Sequence, residues 1–349
     1  MTGRSATAAA PAPRPATRGP SAWWTERHSC CIGWEVVIDQ ETARRYRTLP
    51  GPFGDRLRAA LQADEEGADC FPLRGGRCPF LDGGNLCEIH LRLGEAATSS
   101  TCRSHPRFIE EYGPFREISL AASCPAACRL LLGSREPLAF RQMDLPGEPE
   151  EGDPWLEPLL VVRQRMFSIL ADRSRPLRRR LGDWLDLALA AQCLLDAERE
   201  AELPALAAGW CPAEPPAAEE GAGLFPEALK LLGELEILEP AWRELLAAAA
   251  GSEAPARADE ALLERIAAYF LFRYALKAVN DGDLAGRVAF CLLAVLTVER
   301  LSPLRGLEEA LERFSREIEH DQDNLDALQA AFWEDPRLSP ARFRAELRR

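Results

Sequence analysis

At 349 residues, 47% of them apolar, the chain is long enough for one large domain or two ordinary ones, and too apolar to be disordered throughout. Its formal net charge of −13 argues against a nucleic-acid partner, which would need a basic stripe, and suits a basic partner surface or simple solubility. The longest apolar run, Val288 to Val298, is far shorter than the about 20 residues of a membrane-spanning helix, so no membrane partner is expected.

In chain order, residues 1–20 are broken by proline and arginine where a signal peptide would need an apolar segment of about 7–15 residues. They read as a disordered tail, and the protein is expected in the cytoplasm, where thiols stay reduced. Residues 33–39 read as a short strand, and Asp39 can cap a helix over 40–49. Residues 77–89 read as a hairpin whose Asp-Gly-Gly-Asn turn brings Cys78 and Cys87 to one end, a two-thiol clamp. A short helix then stops at Gly94. Cys102 follows, and a strand within 115–122 delivers Cys124.

Residues 136–154 are rich in proline and acids and read as a connector. From Trp155 the period is helical, with helices expected over 155–172, 176–201, 226–249, 258–280, 284–301 and 306–319 and an Ala/Pro-rich break at 204–216. The helix ending at Asn280-Asp281-Gly282 has apolar residues on more than one face and should be central. The expected fold is mainly α: a small irregular Cys-rich α+β region with short strands and a hairpin (28–135), a linker, a helical bundle (155–335) and a C-terminal tail (336–349).

Eight of the eleven cysteines, Cys30, Cys31, Cys70, Cys78, Cys87, Cys102, Cys124 and Cys128, precede residue 129. Clustering of this kind in a reducing compartment points to metal rather than disulfides. From Cys70 on, the gaps are seven, eight, fourteen, twenty-one and three residues, without the paired knuckles of a zinc ribbon. Thiolates from scattered loops can instead surround an iron–sulfur cluster. Adjacent Cys30 and Cys31 cannot both aim at one point from a strand entry, so one ligates while the other points away or supports it. Cys193 and Cys291, in apolar helices, read as small hydrophobes, and Cys211 falls in the Ala/Pro-rich break.

Several chemistries are excluded by missing motifs. No glycine-rich strand-to-helix turn, Walker loop or Gly-x-Ser-x-Gly elbow occurs. Glu317 and His320 have the Glu-x-x-His spacing of di-iron helices, but that site needs the motif twice and only His28, His90 and His105 remain. Glu317 and Asp321, four apart on a helix, could instead hold a lysine or a methyl sulfonium by charge. In the aromatic run 269–274, Tyr269 or Tyr274 could stack on a cation if it faces a cleft, although such runs are most often core. Only two lysines occur, Lys230 and Lys277. A GC-rich genome explains that bias, and so does avoidance of self-modification by a lysine-modifying enzyme.

The stretches CCIGWEVVID, CPFLDGGNLCEIHLRLGEAATSSTCRSHPRF, EISLAASCPAACRLLL, YFLFRYALKAVNDGD and FSREIEHDQDNLDAL, in that order, resemble the flagellin lysine N-methylase family, whose N-terminal part is a zinc- or iron-chelating cysteine cluster. The resemblance implies methyl transfer from S-adenosyl-L-methionine to lysines exposed on a protein, flagellin in the family. It also implies a [4Fe–4S] cluster, with zinc as the alternative metal, in place of a nucleotide-binding fold. It assigns Cys30, Cys31, Cys78, Cys87, Cys102 and Cys124 to the metal, leaving Cys70 and Cys128 as additional. Tyr269 and Arg273 are expected at the cofactor, and Glu317, His320 and Asp321 at catalysis. By the resemblance, relatives carry further cysteines upstream of the adjacent pair; here one missing position falls near Glu26, and the alternatives are His28 as a substitute ligand or a different start of the reading frame. The rival reading is a non-catalytic iron- or zinc-binding protein.

Overall fold

A computed structural model describes residues 31–33, 35–64, 67–144, 150–211, 223–252 and 258–348. The expected tail 1–20, Glu26, His28 and Cys30 lie outside the described residues, as do residues 145–149 of the connector and 212–216 of the Ala/Pro-rich break. The chain divides into two units, Met1–Arg103 and Ser104–Arg349.

The first unit is organised around Asp39. Its side chain accepts from the Thr42 amide at 2.9 Å, capping α1 (Gln40–Thr48) as the sequence predicts. The same carboxylate accepts from the Ser100 amide at 2.8 Å, so one residue fixes both α1 and the segment that carries Cys102. These hydrogen bonds hold its carboxyl well below the usual range. A small antiparallel sheet in the order β1–β3–β2 joins Val36–Val37, Asp69–Phe71 and Gln62–Ala63, with α2 (Gly51–Ala60) between α1 and β2. Val37 pairs with Cys70, which is buried in the sheet. The core is aromatic: Tyr46 stacks on Phe71 at 5.8 Å, and Phe71 meets Phe80 at 4.8 Å.

The predicted hairpin is present as a tight turn with a single bridge, Leu81 to Cys87, rather than as two regular strands. Asp82 builds the turn by accepting from the Gly84 and Leu86 amides at 2.8 and 2.9 Å, and Asn85 takes a positive φ of 60°. The turn leads into α3 (Glu88–Leu93), which stops at Gly94 with φ 84° as expected. A five-residue helix, α4 (Ser100–Ser104), ends at the unit boundary.

The second unit begins with the two-stranded antiparallel sheet β4 (Arg107–Glu111) and β5 (Arg116–Leu120), followed by α5 (Pro125–Leu132). The division therefore falls inside the stretch 28–135 that reads as one Cys-rich block. Residues 104–135 join the second unit because Tyr112, Ala122, Cys128 and Leu131 pack into the core of the helices. Those helices are α6 (Leu156–Ala171), α7 (Leu177–Leu195), α8 (Leu203–Gly209), α9 (Glu227–Glu234), α10 (Pro240–Ala250), α11 (Glu260–Tyr274), α12 (Ala278–Asp281), α13 (Leu284–Arg305), α14 (Leu307–Phe314), α15 (Gln322–Glu334) and α16 (Pro340–Leu347). The fold is mainly α.

Several boundaries differ from the sequence reading. The expected 226–249 helix breaks over 235–239, ahead of Pro240, a residue that suits a helix start but not an interior. The expected 258–280 helix loosens to 3₁₀ at Ala275–Lys277 before closing at Gly282, φ 74°. The helix expected at the centre, α11, is buried along most of its length, and α13 is more continuously buried still, being apolar on all sides. Cys291 is buried in it as expected, whereas Cys193 is exposed, on the face of α7 opposite the buried Leu187, Ala188, Ala191 and Leu195. Residues 336–349, read as a tail, contain α16, whose Phe343 and Leu347 are buried.

Phe343→Ala should therefore cost about 3–5 kcal/mol, as large core truncations do. Urea unfolding followed by circular dichroism checks this; a midpoint unchanged from wild type would mean that α16 is dispensable.

Candidate functional site

Thiols and a buried charged network are each built within one unit. In the first, the Cys78 amide donates to the Cys31 carbonyl at 2.8 Å, which lays the adjacent-cysteine segment beside the hairpin. The two thiols are hydrogen-bonded, and this bond, with a smaller one from the Phe80 amide, holds the Cys78 thiol below its usual pKa despite burial. Cys87 and Cys102 are close enough to act on Cys78 electrostatically, and both act on Tyr46 as well. Tyr46 donates to the Ala97 carbonyl at 2.7 Å, and burial above all pushes its hydroxyl pKa up. Cys31, Cys78, Cys87 and Cys102 are thus one neighbourhood, assembled from the segment before β1, the hairpin, the N-cap of α3 and α4.

This all-sulfur donor set, with one thiol biased toward thiolate, fits a thiolate-held centre. Among the described residues no three His, Cys, Asp or Glu side chains close around a single point as one metal ion requires. Cys124 belongs to the second unit, at the N-cap of α5. Cys70 and Cys128 are buried and their thiols pushed up in pKa by that burial.

The second unit carries a charged network in its core. Glu319 accepts from the Tyr269 hydroxyl at 3.0 Å and the Tyr274 hydroxyl at 3.0 Å, and its Oε1 lies 3.2 Å from Arg273 Nε. Arg273 also donates from Nη1 to the Tyr269 oxygen at 2.8 Å and covers the Phe108 ring at 3.7 Å. All four side chains are buried. Burial pushes both tyrosine pKa values up; it works against the charge of Arg273, but Glu319, Tyr269 and Tyr274 together outweigh it and hold the guanidinium pKa above its ordinary value.

The network reaches the residues before Cys124. The Ala122 amide donates to the Tyr269 oxygen at 3.0 Å, the Ser123 amide donates to Ser315 Oγ at 2.9 Å, and Ser123 Oγ lies 2.7 Å from His320 Nε2. His320 also meets the rings of Phe108 and His105. Stretches near residues 122, 270 and 318 are thereby held at one place.

The three residues expected at catalysis do not share a face. Ser315–Glu319 is a π turn, so the spacing that would align Glu317 and Asp321 on an α-helix does not hold. Glu317 instead accepts from the Leu238 and Glu239 amides at 2.8 and 3.1 Å, capping the start of α10, and Asp321 caps α15 through the Asn324 amide at 2.9 Å. His320 alone of the three joins the network. Tyr269 and Arg273, expected at the cofactor, spend their polar atoms on Glu319, on each other and on the Ala122 amide, although Arg273 borders a cavity of about 10 Å³ beside Phe108.

A larger cavity of about 190 Å³ opens on the other side of Tyr274. It is lined by Tyr274, Lys277 and Asn280 from one downstream motif, by Gln322 and Asp326 from the other, and by Arg287 of α13. Lys277 pairs with Glu110 at 2.5 Å and Arg287 with Asp281 at 2.5 Å. Sequence reasoning passed over Glu319 and this cavity. A Tyr and an Arg at i and i+4 within an apolar helix are the signal that a buried acid must stand opposite.

The chain is 28% identical over 122 residues to a lysine-N-methylase of Salmonella typhimurium and 29% identical over 124 residues to that of Salmonella choleraesuis, each match covering 33% of this chain and 30% of the relative. Over that third of its length the chain is similar to proteins named lysine-N-methylase. A third match, to the flagellar biosynthetic protein FliU of Salmonella muenchen, is 28% identical over 117 residues, 32% of this chain and 69% of that protein. The matched segment thus spans less than a third of the length of the two methylases. No protein-family profile and no solved structure matches the chain.

Buried Glu317 and half-buried His320 give opposite pH dependences. Burial pushes the His320 pKa down to about 4, with His105, Arg273 and Arg316 adding to it. An unfolded imidazole titrates near 6.5, so the unfolded chain takes up the proton first, and stability present above that value is lost as pH falls toward 4. Burial raises the Glu317 pKa from 4.5 to about 7, so the folded chain keeps a proton the unfolded chain has lost, and stability falls as pH rises through that window. Relative to wild type, His320→Gln should gain stability between pH 7 and 5, by up to about 2 kcal/mol, and Glu317→Ala should lose it. Urea midpoints at the two pH values test this; parallel shifts in both variants would contradict it.

Proposed function

We propose that this chain is a lysine N-methyltransferase that takes its methyl group from S-adenosyl-L-methionine and delivers it to a protein, flagellin being the first acceptor to test. The observation that carries this reading is the meeting of motifs in the second unit. Three stretches that carry the family resemblance, the first separated from the other two by well over a hundred residues, are joined by hydrogen bonds among Ala122, Ser123, Tyr269, Ser315, Glu319 and His320. Two of them line one polar cavity. A chain kept only for metal storage has no need of that second assembly. The names of the relatives point the same way.

Cys31, Cys78, Cys87 and Cys102 are the residues that would hold an iron–sulfur cluster. An all-thiolate donor set drawn from separate loops is of the kind that holds such a cluster. When bound, such a cluster supplies a Lewis-acidic, redox-active iron centre.

The acceptor amine must be neutral to attack the methyl sulfonium, yet a free lysine has a pKa near 10.4. Glu317 and Asp321 spend their oxygens on backbone amides, and His320, with a pKa of about 4, is a weak base. The route this chain offers is desolvation of the amine on docking, which disfavours its charged form. The ammonium gives up its proton to water on docking; the neutral nitrogen then forms its bond to the methyl carbon as the carbon–sulfur bond breaks, leaving an N-methylammonium and the neutral thioether.

The test is transfer of isotopic methyl from S-adenosyl-L-methionine to purified flagellin by anaerobically prepared protein, with iron and sulfide assayed on the same sample. Label in lysine, lost together with most of the iron in Cys78→Ser and Cys87→Ser, is expected. Label on no lysine of any acceptor overturns the reading; transfer that persists in the metal-free variants overturns the role of the cluster.

A further inference from the structure

The cavity beside Tyr274 is small and lined by charges of both signs. Its volume of about 190 Å³ is below the about 300–1,000 Å³ of sites that enclose a drug-sized molecule, so it admits the end of a ligand rather than a whole nucleoside. Tyr274 and Phe290 supply aromatic wall.

Two lining residues are cationic. Lys277 gives one contact to Glu110 and has three donors, and Arg287 reaches Asp281 through Nε and Nη2, with Nη1 left over among the described residues. Asp326, on α15, supplies the opposite charge. It is exposed, accepts from Gln322 Nε2 at 2.6 Å, and has no cation paired with it among the described residues. A purely cationic ligand would meet Lys277 and Arg287, and a purely anionic one would meet Asp326. A group that carries both charges is matched on each side.

We infer that this cavity binds an α-amino-acid zwitterion, with its ammonium on Asp326 and its carboxylate on Lys277 and Arg287. The zwitterion is either the amino-acid end of a sulfonium donor or its thioether product, or a free amino acid. Its assignment to the donor rests on the methyltransferase reading; the zwitterion itself rests on the cavity alone. Lys277 then has a place in the site, which accounts for one of the two lysines in a chain otherwise built on arginine.

Equilibrium dialysis of the full chain with S-adenosylhomocysteine, 5′-methylthioadenosine and L-methionine tests this. 5′-Methylthioadenosine keeps the nucleoside and the sulfur but has no zwitterion, and should bind at least about tenfold more weakly than S-adenosylhomocysteine. Asp326→Asn and Lys277→Gln should each weaken S-adenosylhomocysteine about tenfold and leave 5′-methylthioadenosine unchanged; the melting temperature of Asp326→Asn should equal that of wild type. L-Methionine binding as tightly as S-adenosylhomocysteine would assign the site to a free amino acid and support the zwitterion. The inference is overturned if both variants bind S-adenosylhomocysteine like wild type, if 5′-methylthioadenosine binds as tightly as S-adenosylhomocysteine, or if none of the three binds. Binding in the expected pattern without methylation of any lysine would sink the methyltransferase reading and leave this site standing.

Discussion

An ionised carboxylate in an apolar core must be paired and fully hydrogen-bonded, and the second unit is arranged to meet that demand at Glu319. Two tyrosine hydroxyls and a guanidinium surround it, and Arg273 in turn lies on the Phe108 ring. Removing one member of such a pair leaves the other charge buried without compensation, which is far costlier than the pair itself is stabilising. The geometry of Tyr269, Tyr274 and Arg273 is therefore fixed by the acid they face, and the network extends to the Ala122 and Ser123 amides beside Cys124. A π turn places the acid. An α-helix continued through Ser315–Glu319 would rotate Glu319 away from its partners, so the irregularity is a condition of the pairing.

In the first unit the corresponding constraint is Asp39. A capping residue normally serves one helix. Here a second hydrogen bond to the Ser100 amide ties the start of α1 to the segment bearing Cys102. Together with the bond between the Cys78 amide and the Cys31 carbonyl, this brings four thiols into one neighbourhood by backbone means, before any metal is considered.

What was legible in the sequence was local chemistry. Asp39 as a cap, Gly94 and Gly282 as helix stops, and the Asp-Gly-Gly-Asn turn all act within a few residues, and each is present. The mainly α class followed from periodicity. What was not legible depends on partners remote in sequence. The break before Pro240 is completed by Glu317, far along the chain, so a motif that reads as an acid–base cluster is in part a helix cap. Helix α16 reads as a polar tail because only Phe343 and Leu347 of its residues are deeply buried. Cys193 shows the same limit: an apolar neighbourhood in sequence says nothing of which helix face a residue occupies.

The ion pair between Lys277 and Glu110 links the wall of the larger cavity to strand β4. That strand also carries Phe108, the platform under Arg273. A molecule that drew the ammonium toward itself would slacken the tether and let the strand shift, so the state of the cavity would be transmitted mechanically to the underside of the guanidinium. Loading and the rigidity of the core would then be two readings of a single lever.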